Sequence, residues 1–97
     1  MAEERRARRI YISGEVQGVG YRYFAHLAAE HAGVSGYVKN LADGRVEVYA
    51  IGLPAQLESF VSELQRGPRH ARVADVVLEE AALLADFASY FSIESSD

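Results

Sequence analysis

The sequence predicts an α+β domain in which one four-stranded antiparallel sheet carries two helices on one face. Hydrophobic periodicity indicates the order strand, helix, strand, strand, helix, strand, followed by a short extra strand. Asp43-Gly44, between the second and third strands, is typical of a hairpin turn. Because strand–helix–strand crossovers are right-handed, this order folds as two interlocked βαβ units, which is the ferredoxin-like plan.

In the first part of the chain, alternation marks a strand and helical spacing marks a helix. Ile10 and Ile12 alternate with more polar neighbours, which indicates a half-buried strand over 9–13. The residues that follow the spacing of one helical face are Tyr21, Phe24, Ala25, Ala28 and Ala32. Gly33 then suits the left-handed position after a helix.

Two strands and the second helix follow. The strands are predicted over 35–40 and 46–51, on either side of the Asp-Gly turn. Pro54 suits the first position of a helix, and Gly67-Pro68 ends it. The residues of its apolar stripe are Leu57, Phe60, Val61 and Leu64.

The last part of the chain is less regular. A strand is predicted over 71–79, with a bulge between Val73 and Val76 because the apolar spacing departs from period two there. The alanine-rich segment 80–90 fits no single element. The residues 91–93 alternate as a short strand, which we expect at an edge of the sheet.

Composition limits the classes of function. The 97 residues form one domain, 1–97, of which we expect residues 1–7 to be flexible. Ten basic and fourteen acidic residues give a net charge of -4, which argues against nucleic-acid binding. Without cysteine, neither a disulfide framework nor a thiol nucleophile is expected. The basic cluster 5–9 is not followed by the apolar run of a signal peptide, so we expect a cytoplasmic protein that does not bind membranes.

The candidate site is the glycine-rich stretch between the first strand and the first helix. Glycine permits positive φ and close approach of the backbone to a ligand, and the free N–H groups of a first helical turn attract anions. Arg22 lies in that first turn, where the helix dipole disfavours a cation unless an anion is bound. By itself this pattern is also compatible with a tight turn and a surface arginine. It matches neither a Walker loop nor a dinucleotide fingerprint.

Two segments together resemble the signatures of the acylphosphatase family. They are Gly14-x-Val16-Gln17-Gly18-Val19-Gly20-Tyr21-Arg22, and Gly36-Tyr37-Val38-Lys39-Asn40 followed by Asp43-Gly44-Arg45-Val46-Glu47-Val48. The resemblance covers nearly the whole chain. It implies the ferredoxin-like fold and hydrolysis of the carboxyl-phosphate bond of an acyl phosphate to a carboxylate and inorganic phosphate.

The resemblance also implies the roles of individual residues. Arg22 and Asn40 are the catalytic residues: Arg22 binds the phosphoryl oxygens together with loop amides, and Asn40 orients the attacking water. The residues of the phosphate-binding loop are Glu15, Val16, Gln17, Gly18, Val19, Gly20 and Tyr21. In the predicted topology the first and second strands are parallel with the third between them. Their ends at Val16 and Asn40 therefore lie at one edge of the sheet, about 10 Å apart.

Elementary chemistry is compatible with so small a site. The leaving group is a carboxylate whose conjugate acid has a pKa of about 4, so it departs without a general acid. We expect a phosphoryl oxygen of the substrate to act as the base. His26 and His31 are too far apart around their helix to share a metal ion, and we expect no metal and no cofactor. The expected enzyme is a monomer that acts on a small acyl phosphate.

Two other classes of function stay open at this point. An RNA-binding module would stack bases on Tyr11 and Tyr49, which are predicted to lie on the outward faces of the first and third strands beside Glu47. A non-catalytic anion-binding module would bind an anion in the loop without hydrolysing it.

The end of the chain, 94–97, departs from the basic and aromatic ending common in the family. This acidic tail either approaches Arg22 or is disordered.

Overall fold

The computed structural model describes residues 4–95. The elements are β1 (Arg6–Glu15), α1 (Tyr21–Ala32), β2 (Ser35–Asn40), β3 (Val46–Gly52), α2 (Pro54–Arg66), β4 (Arg72–Ala81), a 3₁₀ turn (Ala85–Phe87) and β5 (Phe91–Ile93). Their order is the predicted one, with the 3₁₀ turn in the segment that fitted no element.

The sheet has the strand order β4-β1-β3-β2-β5. Its first four strands pair antiparallel with their neighbours, and β5 pairs parallel with β2 at the edge. The predicted four-stranded antiparallel sheet with a short edge strand is therefore confirmed. Because β3 lies between β1 and β2, the C-terminal ends of β1 and β2 meet at the same edge of the sheet.

The main core lies between the two helices and one face of the sheet. The apolar stripe of α2 is buried through Leu57, Phe60 and Leu64, as predicted. In α1 the residues with fully buried side chains are Tyr21, Ala25 and Ala29. Phe24 is only partly buried, so the inward face of α1 is rotated slightly from the predicted one.

Strand β1 begins at Arg6, earlier than the alternation of isoleucines indicated. Ala7 is buried, and the Arg9 guanidinium lies 5.4 Å from the centre of the Tyr49 ring. Three of the first four residues of β1 are arginines. An arginine can pack its aliphatic stem on apolar surface but counts as charged, so a hydrophobicity pattern does not detect this part of the strand. Arg6 and Ala7 thus belong to the sheet, although they fall in the segment 1–7 expected to be flexible. Residues 1–3 of that segment lie outside the described residues.

The predicted bulge in the fourth strand is confirmed. Ser13 pairs with Asp75, whereas Gly14 pairs with Val73, so Ala74 has no partner on β1. Gly14 has a φ of 125°, and a Cβ there would lie 2.2 Å from a backbone oxygen of β4. Glycine is therefore required at this bulge, one residue before β1 ends.

On the face of the sheet away from the helices, the connection between β4 and β5 covers the side chains around Tyr49. Tyr49 is fully buried, stacked on Tyr37 at a centroid distance of 5.6 Å and packed against Phe87 at 5.7 Å. Its hydroxyl donates a hydrogen bond to the Ala82 carbonyl. Tyr49 thus lies on the face of the sheet away from the helices, as predicted, but it is buried there and cannot stack on a base. The segment 80–90, which showed no periodicity, packs over the part of this face around Tyr49, whereas Tyr11 on the same face stays partly exposed.

A hydrogen bond of Tyr37, which stacks on Tyr49, makes the stability of the fold depend on pH. The Tyr37 hydroxyl donates to Glu47 Oε2 at 2.6 Å, and burial followed by this carboxylate raises the pKa of Tyr37 from 10 to about 12. The folded protein therefore keeps a proton that the unfolded chain loses above about pH 10. The contribution of this pair to stability is complete below that pH and is lost as the pH rises to about 12.

We therefore expect the free energy of unfolding to fall more steeply between about pH 10 and pH 12 in the unaltered protein than in Tyr37→Phe. Urea denaturation at several pH values, followed by circular dichroism, measures both slopes. All other ionisable groups are present in both proteins, so the difference between the two slopes reports on Tyr37. Equal slopes would show that the fold does not shift the pKa of Tyr37.

Candidate active site

The loop between β1 and α1 presents free backbone donors. Gly18 and Gly20 have φ values of 75° and 79°, and Gly20 caps α1 without any side-chain hydrogen bond. A Cβ at either glycine would meet no atom within 4 Å, so the left-handed backbone is what requires glycine here. Within residues 4–95, no backbone N–H from Gln17 to Tyr23 donates to a backbone carbonyl. These donors lie at the positive end of α1, where an anion is stabilised.

The side chain of Gln17 fixes this loop to the turn between β2 and β3. Its Nε2 donates to the Leu41 carbonyl at 2.8 Å and to the Arg45 carbonyl at 2.9 Å. The turn is itself closed by a hydrogen bond from the Leu41 N–H to the Arg45 carbonyl and by the pairing of Asp43 with Arg45. The loop is therefore held in position by a side chain that points away from its free amides.

Apolar side chains anchor the same loop to the core. Val16 and Tyr21 are each 1% exposed, and Val19 packs against the core cluster. The Tyr21 hydroxyl donates to the Leu64 carbonyl at 2.7 Å, and burial raises the pKa of Tyr21 far above its ordinary value. The side chains of Val16 and Tyr21 are therefore buried in the core, while their backbone belongs to the loop. Glu15 lies at the end of β1, where it pairs with β4.

Arg22 lies in the first turn of α1 and is held by the segment after β5. Its Nη1 donates to the Glu94 carbonyl at 2.9 Å, and the Glu94 N–H donates to the Val38 carbonyl at 2.9 Å. Of the two alternatives left open for the acidic tail, Glu94 follows the first, but it approaches Arg22 with its backbone carbonyl, while its carboxylate accepts from Ser92 Oγ. Residues 96–97 of that tail lie outside the described residues. One branch of the guanidinium is fixed, and its other donors have no partner in the described part of the chain.

Asn40 ends β2 opposite Val46 of β3. Its Oδ1 is buried and accepts no hydrogen bond from residues 4–95. Leaving a buried acceptor without a donor costs about 1–3 kcal/mol of stability. A water molecule or another small donor that reaches this oxygen would therefore form a favourable hydrogen bond.

These features line one cleft of about 260 Å³ at the edge of the sheet where β1 and β2 end. The lining residues are Val16, Gly18, Gly20, Tyr21, Arg22, Tyr23, Asn40 and Ile93. The structure thus brings Arg22, Asn40 and the loop glycines together, as the topology predicted. Larger clefts of about 430 Å³ and 510 Å³ lie between the helices and beside the start of β2, but they lack the free amides of a helix N-terminus.

Two partners in this site were not predicted. The Glu94 carbonyl that holds Arg22 is a backbone group, and no residue type marks such a group in a sequence. The two hydrogen bonds of Gln17 join segments 24 and 28 residues apart, which no local pattern reveals.

Within residues 4–95, no three His, Asp or Glu side chains converge as a metal-ligand set. Neither described helix is long and apolar enough to cross a membrane.

Comparison with known proteins links this geometry to one family. The family model described as Acylphosphatase matches residues 8–93. A relative named acylphosphatase from Solibacter usitatus is 53% identical over 77 residues, which cover 79% of this chain and 80% of that protein. One from Archaeoglobus fulgidus is 49% identical over 74 residues, which cover 76% and 83%. The crystal structure of acylphosphatase from Bacillus subtilis superimposes with a TM-score of 0.85 at 40% identity, covering 91% of this chain and 97% of that one.

Proposed function

This chain belongs to the acylphosphatase family and is an acylphosphatase, and we propose that Arg22 and the loop amides bind the phosphoryl group while Asn40 orients the attacking water. The observation that carries these roles is the convergence, in one cleft, of loop residues with free backbone N–H groups, the held guanidinium of Arg22, and Asn40, whose buried Oδ1 has no partner in the described part of the chain. Each is a group that an acyl phosphate and a water molecule would satisfy.

Binding of the substrate uses the two kinds of donor together. The phosphoryl oxygens accept hydrogen bonds from the amides of the loop and from the free branch of the Arg22 guanidinium. The hydrogen bond to the Glu94 carbonyl keeps the guanidinium in place before the substrate arrives. Because these donors are fixed, little reorganisation is needed as negative charge spreads over the transferring group.

The hydrolytic step then needs only an oriented water. Asn40 Oδ1 accepts a hydrogen bond from that water and aims its oxygen at phosphorus. The new phosphorus–oxygen bond forms as the bond to the acyl oxygen breaks, and the carboxylate leaves with the bonding electrons. A proton of the water passes to a phosphoryl oxygen of the substrate, so the products are a carboxylate and inorganic phosphate.

The RNA-binding alternative is not favoured. Tyr49, one of its two stacking aromatics, is fully buried under the β4–β5 connection, and the Arg45 guanidinium lies 4.9 Å from the centre of the Tyr11 ring.

A small acyl phosphate is the substrate that the family implies. Our proposal includes a cytoplasmic monomer that needs no metal ion. Sedimentation equilibrium tests the monomer directly.

Hydrolysis of benzoyl phosphate in the presence of EDTA tests the activity. We expect phosphate release well above the spontaneous rate measured without protein, and no loss of rate when EDTA is added. Activity that disappears with EDTA and returns with a divalent cation would contradict the metal-free mechanism. A folded protein that binds inorganic phosphate without turnover would instead be a non-catalytic anion-binding module.

A further inference from the structure

Two large apolar side chains are exposed at the mouth of the cleft. Tyr23 is 62% exposed and Ile93 is 44% exposed, and both line the same cleft as Arg22 and Asn40. The polar groups of the cleft are the backbone amides of the loop, the Arg22 guanidinium and the Asn40 carboxamide. An acyl phosphate likewise has a polar and an apolar part, since its phosphoryl end is charged and its acyl end is commonly apolar.

Each of the two side chains is adjacent in the sequence to one member of the Arg22–Glu94 hydrogen bond. Tyr23 follows Arg22 in the first turn of α1, and Ile93 precedes Glu94, whose carbonyl holds Arg22. Phe91 of β5 is buried toward the helices, against Phe60. Because strand residues two apart lie on one face, Ile93 is directed to the same side, toward the start of α1.

We propose that Tyr23 and Ile93 form an acyl-binding rim, which selects acyl phosphates with an aromatic or bulky apolar acyl group over acetyl phosphate. This inference rests on the proposed role of Arg22 and the loop in phosphate binding. With the phosphoryl group on the loop, the acyl group emerges at the mouth of the cleft. An aromatic ring covers both side chains there and removes apolar surface from water, whereas an acetyl group is too small to do so.

The rim acts on binding and leaves the chemical step unchanged. The acyl group touches the same side chains before and during cleavage, so the contact stabilises the ground state and the transition state equally. Loss of the rim therefore raises KM for an aromatic substrate with little change in kcat, provided that substrate dissociation is faster than chemistry. Acetyl phosphate is affected little in either constant.

The test compares benzoyl phosphate and acetyl phosphate with Tyr23→Ser, Ile93→Ser and the double variant. We expect the double variant to lower the ratio of kcat/KM for benzoyl to acetyl phosphate about tenfold, through KM. Leu27→Ser is the matched control, because Leu27 is 46% exposed one turn further along α1 and does not line the cleft. Its ratio should equal that of the unaltered protein.

A second measurement is independent of turnover. Calorimetric titration with phenylphosphonate and methylphosphonate should show a preference for the phenyl compound that falls about tenfold in the double variant. An unchanged preference in both experiments would overturn the acyl-binding rim while leaving the proposed function intact. If the unaltered protein hydrolyses neither substrate, the proposed function itself fails.

Discussion

Arg22→Ala is expected to lower kcat/KM for benzoyl phosphate by about a hundredfold or more. The guanidinium is the only cationic side chain that lines the cleft among residues 4–95, and one of its branches is already held by the Glu94 carbonyl. In the proposed role, its free branch binds two phosphoryl oxygens at once and stabilises the charge that spreads in the transition state. Alanine leaves the loop amides to carry that charge alone.

The fold should survive this change. Within residues 4–95 Arg22 makes a single hydrogen bond to a protein group, so we expect the free energy of unfolding to change by no more than about 1 kcal/mol. Arg22→Lys keeps the charge but not the planar fork and should stay impaired by at least about tenfold. Arg45→Ala serves as the control, because Arg45 pairs with Asp43 in the turn and lies outside the cleft. Full activity in a folded Arg22→Ala protein would contradict the role of Arg22.

Asn40→Ala is expected to lower kcat about a hundredfold with a small effect on KM. Asn40 is proposed to hold the water and not the phosphoryl group, so binding of the substrate should be retained. Steady-state kinetics with benzoyl phosphate separates the two constants. Isothermal titration with inorganic phosphate should give nearly the same dissociation constant for this variant as for the unaltered protein.

Stability distinguishes this role from a structural one. Asn40 Oδ1 is buried without a donor in the described part of the chain, so its removal breaks no hydrogen bond of that oxygen. We therefore expect Asn40→Ala to unfold within about 1 kcal/mol of the unaltered protein in urea. A strongly destabilised variant, or one whose KM rises while kcat is kept, would show that Asn40 serves the fold or the binding of phosphate instead.

Much of the fold could be predicted because local patterns and topology agree. Helical spacing, the Asp43-Gly44 turn and the break in period two before Val76 each indicated the element that the structure has. The topology then brought the ends of β1 and β2 to one edge, which placed Arg22 and Asn40 in one cleft. These features depend on residue type and spacing, and both can be read directly from a sequence.

The features that could not be predicted depend on long-range packing. Tyr49 alternates like a surface residue of a strand, yet a connection without periodicity folds over it and buries it. The start of β1 was hidden by arginines, whose charge outweighs their apolar stems in any hydrophobicity pattern. The partner of Arg22 is a carbonyl, and all residues carry one.

The hydrogen bonds of Gln17 have a consequence for the cooperativity of the domain. They join the loop between β1 and α1 to the hairpin that carries Asn40, so opening of either segment breaks the same two bonds. An anion that binds only the closed loop therefore also lowers the population of open hairpin, by mass action. Amide hydrogens in the turn 41–45 should then exchange more slowly when phosphate is bound, although that turn does not line the cleft.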